Sequence, residues 1–227
     1  SITATPPVDL TPPTTTHDYD GHWHTTDFTI TLTATDPVSG VADTYYKLND
    51  GPTKTTLVDG HPFITTESAN NKLEYWSIDN AANEETHRIL IGIRLDKTAP
   101  TGSIIINNGE MYTNSTWVTL ALTAADATSD IYQVRYSNDG MWDTEVWETA
   151  SATKTWMLPT VDGTKALYCQ VKDNAGLISS TYSDTIILDT ASPEVSITDP
   201  VSGYESKLST LTVTWSGGDE VSGISHY

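Results

Sequence analysis

Asp79-Asn80-Ala81-Ala82-Asn83-Glu84 ends a stretch in which apolar and polar residues alternate, and a shorter copy, Asp173-Asn174-Ala175-Gly176, ends another. Each is followed by a second alternating run that finishes in Leu-Asp and a proline linker: Leu95-Asp96-Lys97-Thr98-Ala99-Pro100 and Leu188-Asp189-Thr190-Ala191-Ser192-Pro193. Asp9-Leu10-Thr11-Pro12-Pro13 is the same linker signal upstream, so the anchors return at near-constant spacing. A repeat of that kind marks a tandem array of small domains.

Other segments fall into register around these anchors. Phe28, Ile30, Leu32 and Ala34 run up to Asp36, Val118, Leu120, Leu122 and Ala124 run up to Asp126, and Leu211, Val213 and Trp215 precede Asp219. The residues between them are mostly threonine, so one face of each strand is buried and the other wet. A tight turn follows each aspartate: Pro37-Val38-Ser39-Gly40-Val41, Ala127-Thr128-Ser129-Asp130-Ile131 and Glu220-Val221-Ser222-Gly223-Ile224. Asp130 replaces the turn glycine and must accept or avoid the positive φ that glycine allows.

Next comes a tyrosine strand, carrying Tyr46 or Tyr136, and a hairpin turn, Asn49-Asp50-Gly51 or Asn138-Asp139-Gly140. The copies then diverge, over 52–71 in the first and over a loop with Met141, Trp142, Trp147 and Trp156 in the second. The closing pairs are 73–78 with 89–95, and 167–172 with 181–188. Short strands, regular turn signals and no helical period predict an all-β fold of tandem immunoglobulin-like β-sandwich domains without the Cys…Trp…Cys signature of antibodies. The expected division is 1–12 as the tail of a preceding repeat and linker, 13–97 and 98–190 as whole domains, and 191–227 as the first part of a third.

With 227 residues and a net charge of −19, the chain is a poor partner for nucleic acid. No run is long and apolar enough to span a bilayer, and Ser1 begins no signal peptide. The one cysteine, Cys169, excludes an intrachain disulfide and shares a strand face with Leu167 and Val171, which marks it as a buried small hydrophobe.

Thr-Ala-Thr-Asp36 with Ser39-Gly40-Val41, the tyrosine strand, Tyr75-x-x-x-Asp79-Asn80-Ala81, Asp173-Asn174-Ala175-Gly176 and the Leu-Asp-x-Thr/Ala-x-Pro linkers resemble the Ig-like repeats of prokaryotic cell-surface and extracellular proteins. The resemblance covers nearly the whole chain. It implies a non-enzymatic, extracellular or cell-surface role, as a stalk, surface-layer component or filament subunit that associates with itself or neighbouring repeats. It also admits an adhesin or carbohydrate-binding module, or repeats accessory to a larger secreted enzyme. Ala82 stands where the family has glycine, and the second copy lacks the Ser-Gly turn, so loop geometry is expected to differ between copies.

No catalytic constellation emerges from the residues. His17, His22 and His24, near Asp18 and Asp20, have no counterpart in the second copy and read as a solvated loop rather than a metal site. The recurring carboxylates Asp36, Asp79, Asp96, Asp126, Asp173 and Asp189 are the better candidates for structural calcium. Calcium takes about six to eight oxygens, which loop and junction carboxylates can supply. The competing reading is that each aspartate caps its own turn, with no ion. Asn114-Ser115-Thr116 is a glycosylation sequon at Asn114. The tryptophans Trp142, Trp147 and Trp156 are read as core, with an exposed patch for a glycan or subunit as the alternative.

Overall fold

The alternating runs become strands, since a period of two buries every second side chain against a second layer. The computed structural model describes residues 8–199 and 212–223. The expectations for residues 1–7, Leu211, Ile224 and Tyr227 lie outside them. The chain divides into two compact units, one running to Pro100 with the loops 125–132 and 172–178 added, the other taking the rest.

The first unit contains β1 (Thr14–His17), β2 (Trp23–His24), β3 (Phe28–Thr29), β4 (Leu32–Thr35), β5 (Val41–Leu48), β6 (Lys54–Thr56), β7 (Phe63–Ile64), β8 (Ser68–Asp79) and β9 (Arg88–Leu95). One sheet has the order β2-β9-β8-β5-β6, and β1-β4 and β3-β7 pair separately. Leu32 and Ile64 from the paired strands and Ile30 from the link between β3 and β4 pack with Tyr46, Leu73, Tyr75, Ile93 and Leu95 from the sheet. Burying an aliphatic side chain of this size contributes about 1.5–3 kcal/mol, so this layer contact is the main stabilising term.

The second unit repeats the plan with β10 (Thr101–Ile106), β11 (Tyr112–Thr113), β12 (Trp117–Ala125), β13 (Ile131–Ser137), β14 (Glu148–Thr149), β15 (Thr153–Met157), β16 (Gly163–Asp173) and β17 (Tyr182–Leu188). Its sheets are β11-β17-β16-β13-β14 and β10-β12-β15. Between them lie Ile104, Ile106, Val118, Leu120, Val134, Leu158, Leu167, Cys169, Val171 and Ile186. Leu167, Cys169 and Val171 are each 0% exposed, and burial pushes the Cys169 thiol up to about 11, which leaves it an inert hydrophobe. In both units a two-residue strand runs parallel to the last strand, β2 with β9 and β11 with β17. The central pairs β8–β9 and β16–β17 are antiparallel. Two packed sheets of this strand order form an immunoglobulin-like sandwich.

β18 (Glu194–Asp199) and β19 (Thr214–Gly218) form a further antiparallel pair. Val213 and Trp215, expected on a buried face, are 48% and 44% exposed. Among the described residues this pair has no second layer to bury them.

The turns obey their residues. Asn49 and Asp50 both take positive φ, 49° and 56°, and the Gly51 amide donates to the Leu48 carbonyl at 2.8 Å, a tight hairpin that Asn and Asp tolerate. Asp130 accepts the left-handed conformation at φ 60°, matching Gly40 at 77°, and Ala82 does so at 67°, matching Gly176 at 91°. The expectation that these substitutions alter loop geometry is therefore corrected: Asp130 and Ala82 adopt the same left-handed backbone as the glycines they replace, at the cost of a Cβ crowded against that backbone.

Candidate metal centres

Each strand-ending aspartate uses one oxygen to shape the turn behind it. Asp36 Oδ1 accepts from the amides of Val38, Ser39 and Gly40 at 3.0, 2.8 and 2.9 Å. Asp126 Oδ1 accepts from Thr128 and Ser129 at 2.9 and 2.7 Å. Asp219 Oδ1 accepts from Val221, Ser222 and Gly223 at 3.2, 2.9 and 3.0 Å. The capping reading holds for this oxygen.

The Asp-Asn pair then brings a second loop to that turn. The Asn80 side-chain amide donates to the carbonyls of Ser39 and Gly40 at 2.9 and 3.1 Å. Asn174 does the same to Ser129 and Asp130 at 2.6 and 3.3 Å. The asparagine is a clamp, and the aspartate before it is held beside the turn aspartate. The linker aspartate arrives from the end of the last strand, its amide bonded to the carbonyl of the short parallel strand: Asp96 N to His24 O at 3.0 Å.

Two groups of three carboxylates result, Asp9 with Asp36 and Asp79, and Asp96 with Asp126 and Asp173. In each, one oxygen from every residue lies within 4.8 Å of the others. Both groups fall within the first compact unit. Asp189 is placed differently from the other candidates. Its Oδ2 accepts from the Ser222 amide at 3.1 Å, beside the Asp219 turn, and among the described residues no third carboxylate joins them. Asp9 was absent from the sequence-based ligand set, although its alignment with Asp96 as a linker anchor was the signal that identifies it.

The two groups differ in how their second oxygens are matched. Asp9 Oδ2 accepts from the Ser39 amide at 3.1 Å, and Asp79 Oδ2 accepts from the Asn83 side-chain amide at 2.8 Å. Asp36 Oδ2 has no donor. In the second group Asp96 and Asp173 are both 0% exposed, and the Oδ2 atoms of both are buried without a donor.

Proton affinity follows the same division. Asp9 is held below the usual carboxylate range, first by its Thr11 hydroxyl bond. Burial pushes Asp79 up, but the bonds from Asn83 outweigh it and leave it lowered. Asp173 is raised, by burial first and then, past the opposing Leu177 amide bond, by the negative charges of Asp96 and Asp126.

The other sequence candidates lie apart from these groups. His24 stacks on Phe28 with ring centroids 3.6 Å apart, and Tyr19 joins the stack, so this histidine is packing rather than a ligand. Trp156 packs against the second core, but Trp142 and Trp147 do not enter it: both lie against the Arg135 guanidinium, at 4.5 and 4.6 Å. Arg135 alternates with the buried Val134 and Tyr136, so it faces outward and takes the two indoles with it. Asn114 is exposed in the loop between β11 and β12.

No protein-family model and no curated protein matches the chain. Solved structures similar to it include the fibronectin(III)-like modules of Clostridium thermocellum CbhA, at 17% identity and TM-score 0.37, covering 77% of this chain and 94% of that one. The chicken CNTN1 FN1-FN3 domains align at 10% identity and TM-score 0.39, covering 78% and 66%. A two fibronectin type III domain segment of chicken tenascin aligns at 11% and 0.32, covering 78% and 98%.

Proposed function

We propose that the chain is a run of immunoglobulin-like structural modules in an extracellular or cell-surface protein, serving an extended stalk, surface layer or filament. The observation that supports this is repetition of one architecture with one set of loop clamps: the turn aspartate and the asparagine of the Asp-Asn pair recur with the same kind of hydrogen bond to the turn. Elements repeated along a chain in this way build length and bind neighbours. Electron microscopy of the native protein as it leaves the cell tests the reading. Fibres, a lattice or extended strings of beads are expected, and compact globules that turn over a substrate overturn it.

A glycan-binding role is the second reading, favoured by Trp142 and Trp147, which both lie against Arg135 on the outer face of the second unit. Aromatic faces beside a charged group suit sugar recognition. Glycan-array binding that is lost on Trp142→Ala supports it, and no binding to any glycan removes it. Occupancy of Asn114 by a glycan, read as a mass shift on enzymatic deglycosylation, places the chain in a secretory route.

A further inference from the structure

The two carboxylate groups are built on one plan and differ in two donors: the Ser39 amide reaches Asp9 Oδ2 while Asp96 Oδ2 has none, and the residue four places after the Asp-Asn aspartate changes. Asn83 lies four residues after Asp79, and Leu177 lies four residues after Asp173. Both backbones bond alike: the amide of Asn83 donates to Asp79 Oδ1, and that of Leu177 to Asp173 Oδ1, each at 2.8 Å. Only the side chains differ. The Asn83 amide donates to Asp79 Oδ2 at 2.8 Å and to the Asp9 carbonyl at 3.1 Å, tying the linker to the loop. Leu177 has no donor to offer, and Asp173 Oδ2 is left buried and unpartnered beside Asp96 Oδ2, which is in the same condition.

A buried carboxylate oxygen with no donor is costly, and two of them beside a third carboxylate also repel. Folded chains relieve this with a proton or a cation. Oxygens from three residues within 4.8 Å of one another are close enough to share one cation, and calcium–oxygen contacts of about 2.4 Å fit that spacing. The donor set is oxygen alone, which selects hard cations and disfavours zinc or copper. Magnesium demands shorter, octahedral contacts and gives up its water reluctantly, so calcium fits better.

We propose that Asp96, Asp126 and Asp173 hold one calcium ion, and that in the Asp9, Asp36 and Asp79 group the Asn83 side-chain amide on Asp79 and the Ser39 amide on Asp9, which leave only Asp36 Oδ2 without a donor, take that ion's place. The two sites thus close the same loops by different means, one requiring a cation and the other independent of it. Asp173 and Asp96 are the buried ligands, and Asp126 supplies its second oxygen while its first caps the turn. The inference concerns these side chains and does not depend on the modular role proposed above.

The test uses the whole chain, stripped with a chelator and titrated calorimetrically with calcium chloride alone. The wild type is expected to bind one equivalent. Asp173→Asn and Leu177→Asn each weaken that binding by at least about tenfold, the second by supplying a donor in the ion's place. Asn83→Leu is expected to create a second equivalent. No binding by the wild type, binding unchanged in Asp173→Asn and Leu177→Asn, or tighter binding of magnesium than of calcium overturns the assignment. Two equivalents in the wild type that Asn83→Leu leaves unchanged overturn the role of Asn83. Thermal melting guards against variants that fail to fold. In chelator Asp173→Asn melts at or above the wild type, because it removes an uncompensated charge, and calcium raises the wild type but not the variant. A lower melting point for Asp173→Asn in chelator, with no calcium shift in the wild type, makes the aspartate merely structural.

Discussion

At the level of single residues, the left-handed positions show where this chain tolerates strain. Ala82 sits at φ 67° where the second copy has Gly176, and a Cβ at such an angle is disfavoured by about 1 kcal/mol relative to glycine. Ala82→Gly is therefore expected to stabilise the first unit by up to about 1 kcal/mol, less whatever glycine gains in unfolded-chain entropy. Urea denaturation measures the difference, and Gly176→Ala should change stability in the opposite sense.

His87 gives a pH prediction at the same scale. Its Nδ1 lies 2.7 Å from Glu74 and its Nε2 3.0 Å from Glu84, with the ring stacked on Trp76 at 3.8 Å. The Glu74 bond, against the opposing effect of burial and with the help of the Glu84 bond, raises its proton affinity above the ordinary 6.5. The His87 bond in turn holds Glu74 below its usual range. A raised histidine contributes stability that is fully present below pH 6.5 and is lost as pH rises through the higher folded value. The lowered Glu74 works oppositely, contributing above the usual carboxylate range and losing its share in acid. NMR titration should therefore place His87 above 6.5, and Glu74→Gln should bring it down.

At the level of elements, one buried side chain fastens the first strand. Glu85 is 5% exposed; its Oε2 accepts from the Thr15 amide at 3.1 Å, and its Oε1 accepts from the Ser77 amide at 2.9 Å and from the Thr15 hydroxyl. It thereby joins β1 to β8 through a carboxylate. The second unit places Ser179 at this point, whose hydroxyl accepts from the Val171 amide at 3.0 Å. Removing the Glu85 carboxylate strands those donors, each costing about 1–3 kcal/mol when buried without a partner. Glu85→Ala is expected to destabilise the first unit by about 3 kcal/mol. Hydrogen exchange at Thr15 should accelerate more than exchange in β9. If protection at Thr15 is unchanged, the latch does not hold β1.

Strand pairing was legible because alternation, Thr faces and Asn-Asp-Gly turns are local properties. The tryptophans of 141–156 were harder to place. Size and apolarity favour the core, and what overrode them was Arg135, which shares the sheet face that the core does not use.

Over the whole molecule, a net charge of −19 on 227 residues makes self-repulsion a general destabilising term. Moderate sodium chloride should raise the melting temperature by screening it, in chelator as well as in calcium, whereas a specific calcium effect should persist in that salt. The sequence by itself determined the all-β class, the strand faces and the special turns, since each rests on residues within a few positions of one another, and the repeat, since the same short motifs return along the chain. It also marked the aspartates as a recurring set. Only the tertiary structure decided which of them meet: Asp9 with Asp36 and Asp79, Asp96 with Asp126 and Asp173. Those partners lie far apart along the chain and are brought together by strand order and by the Asn80 and Asn174 clamps. The structure also decided which carboxylates keep an unmatched oxygen, because a donor's reach depends on packing. The Asn83 amide finds Asp79, and the Leu177 side chain offers nothing to Asp173.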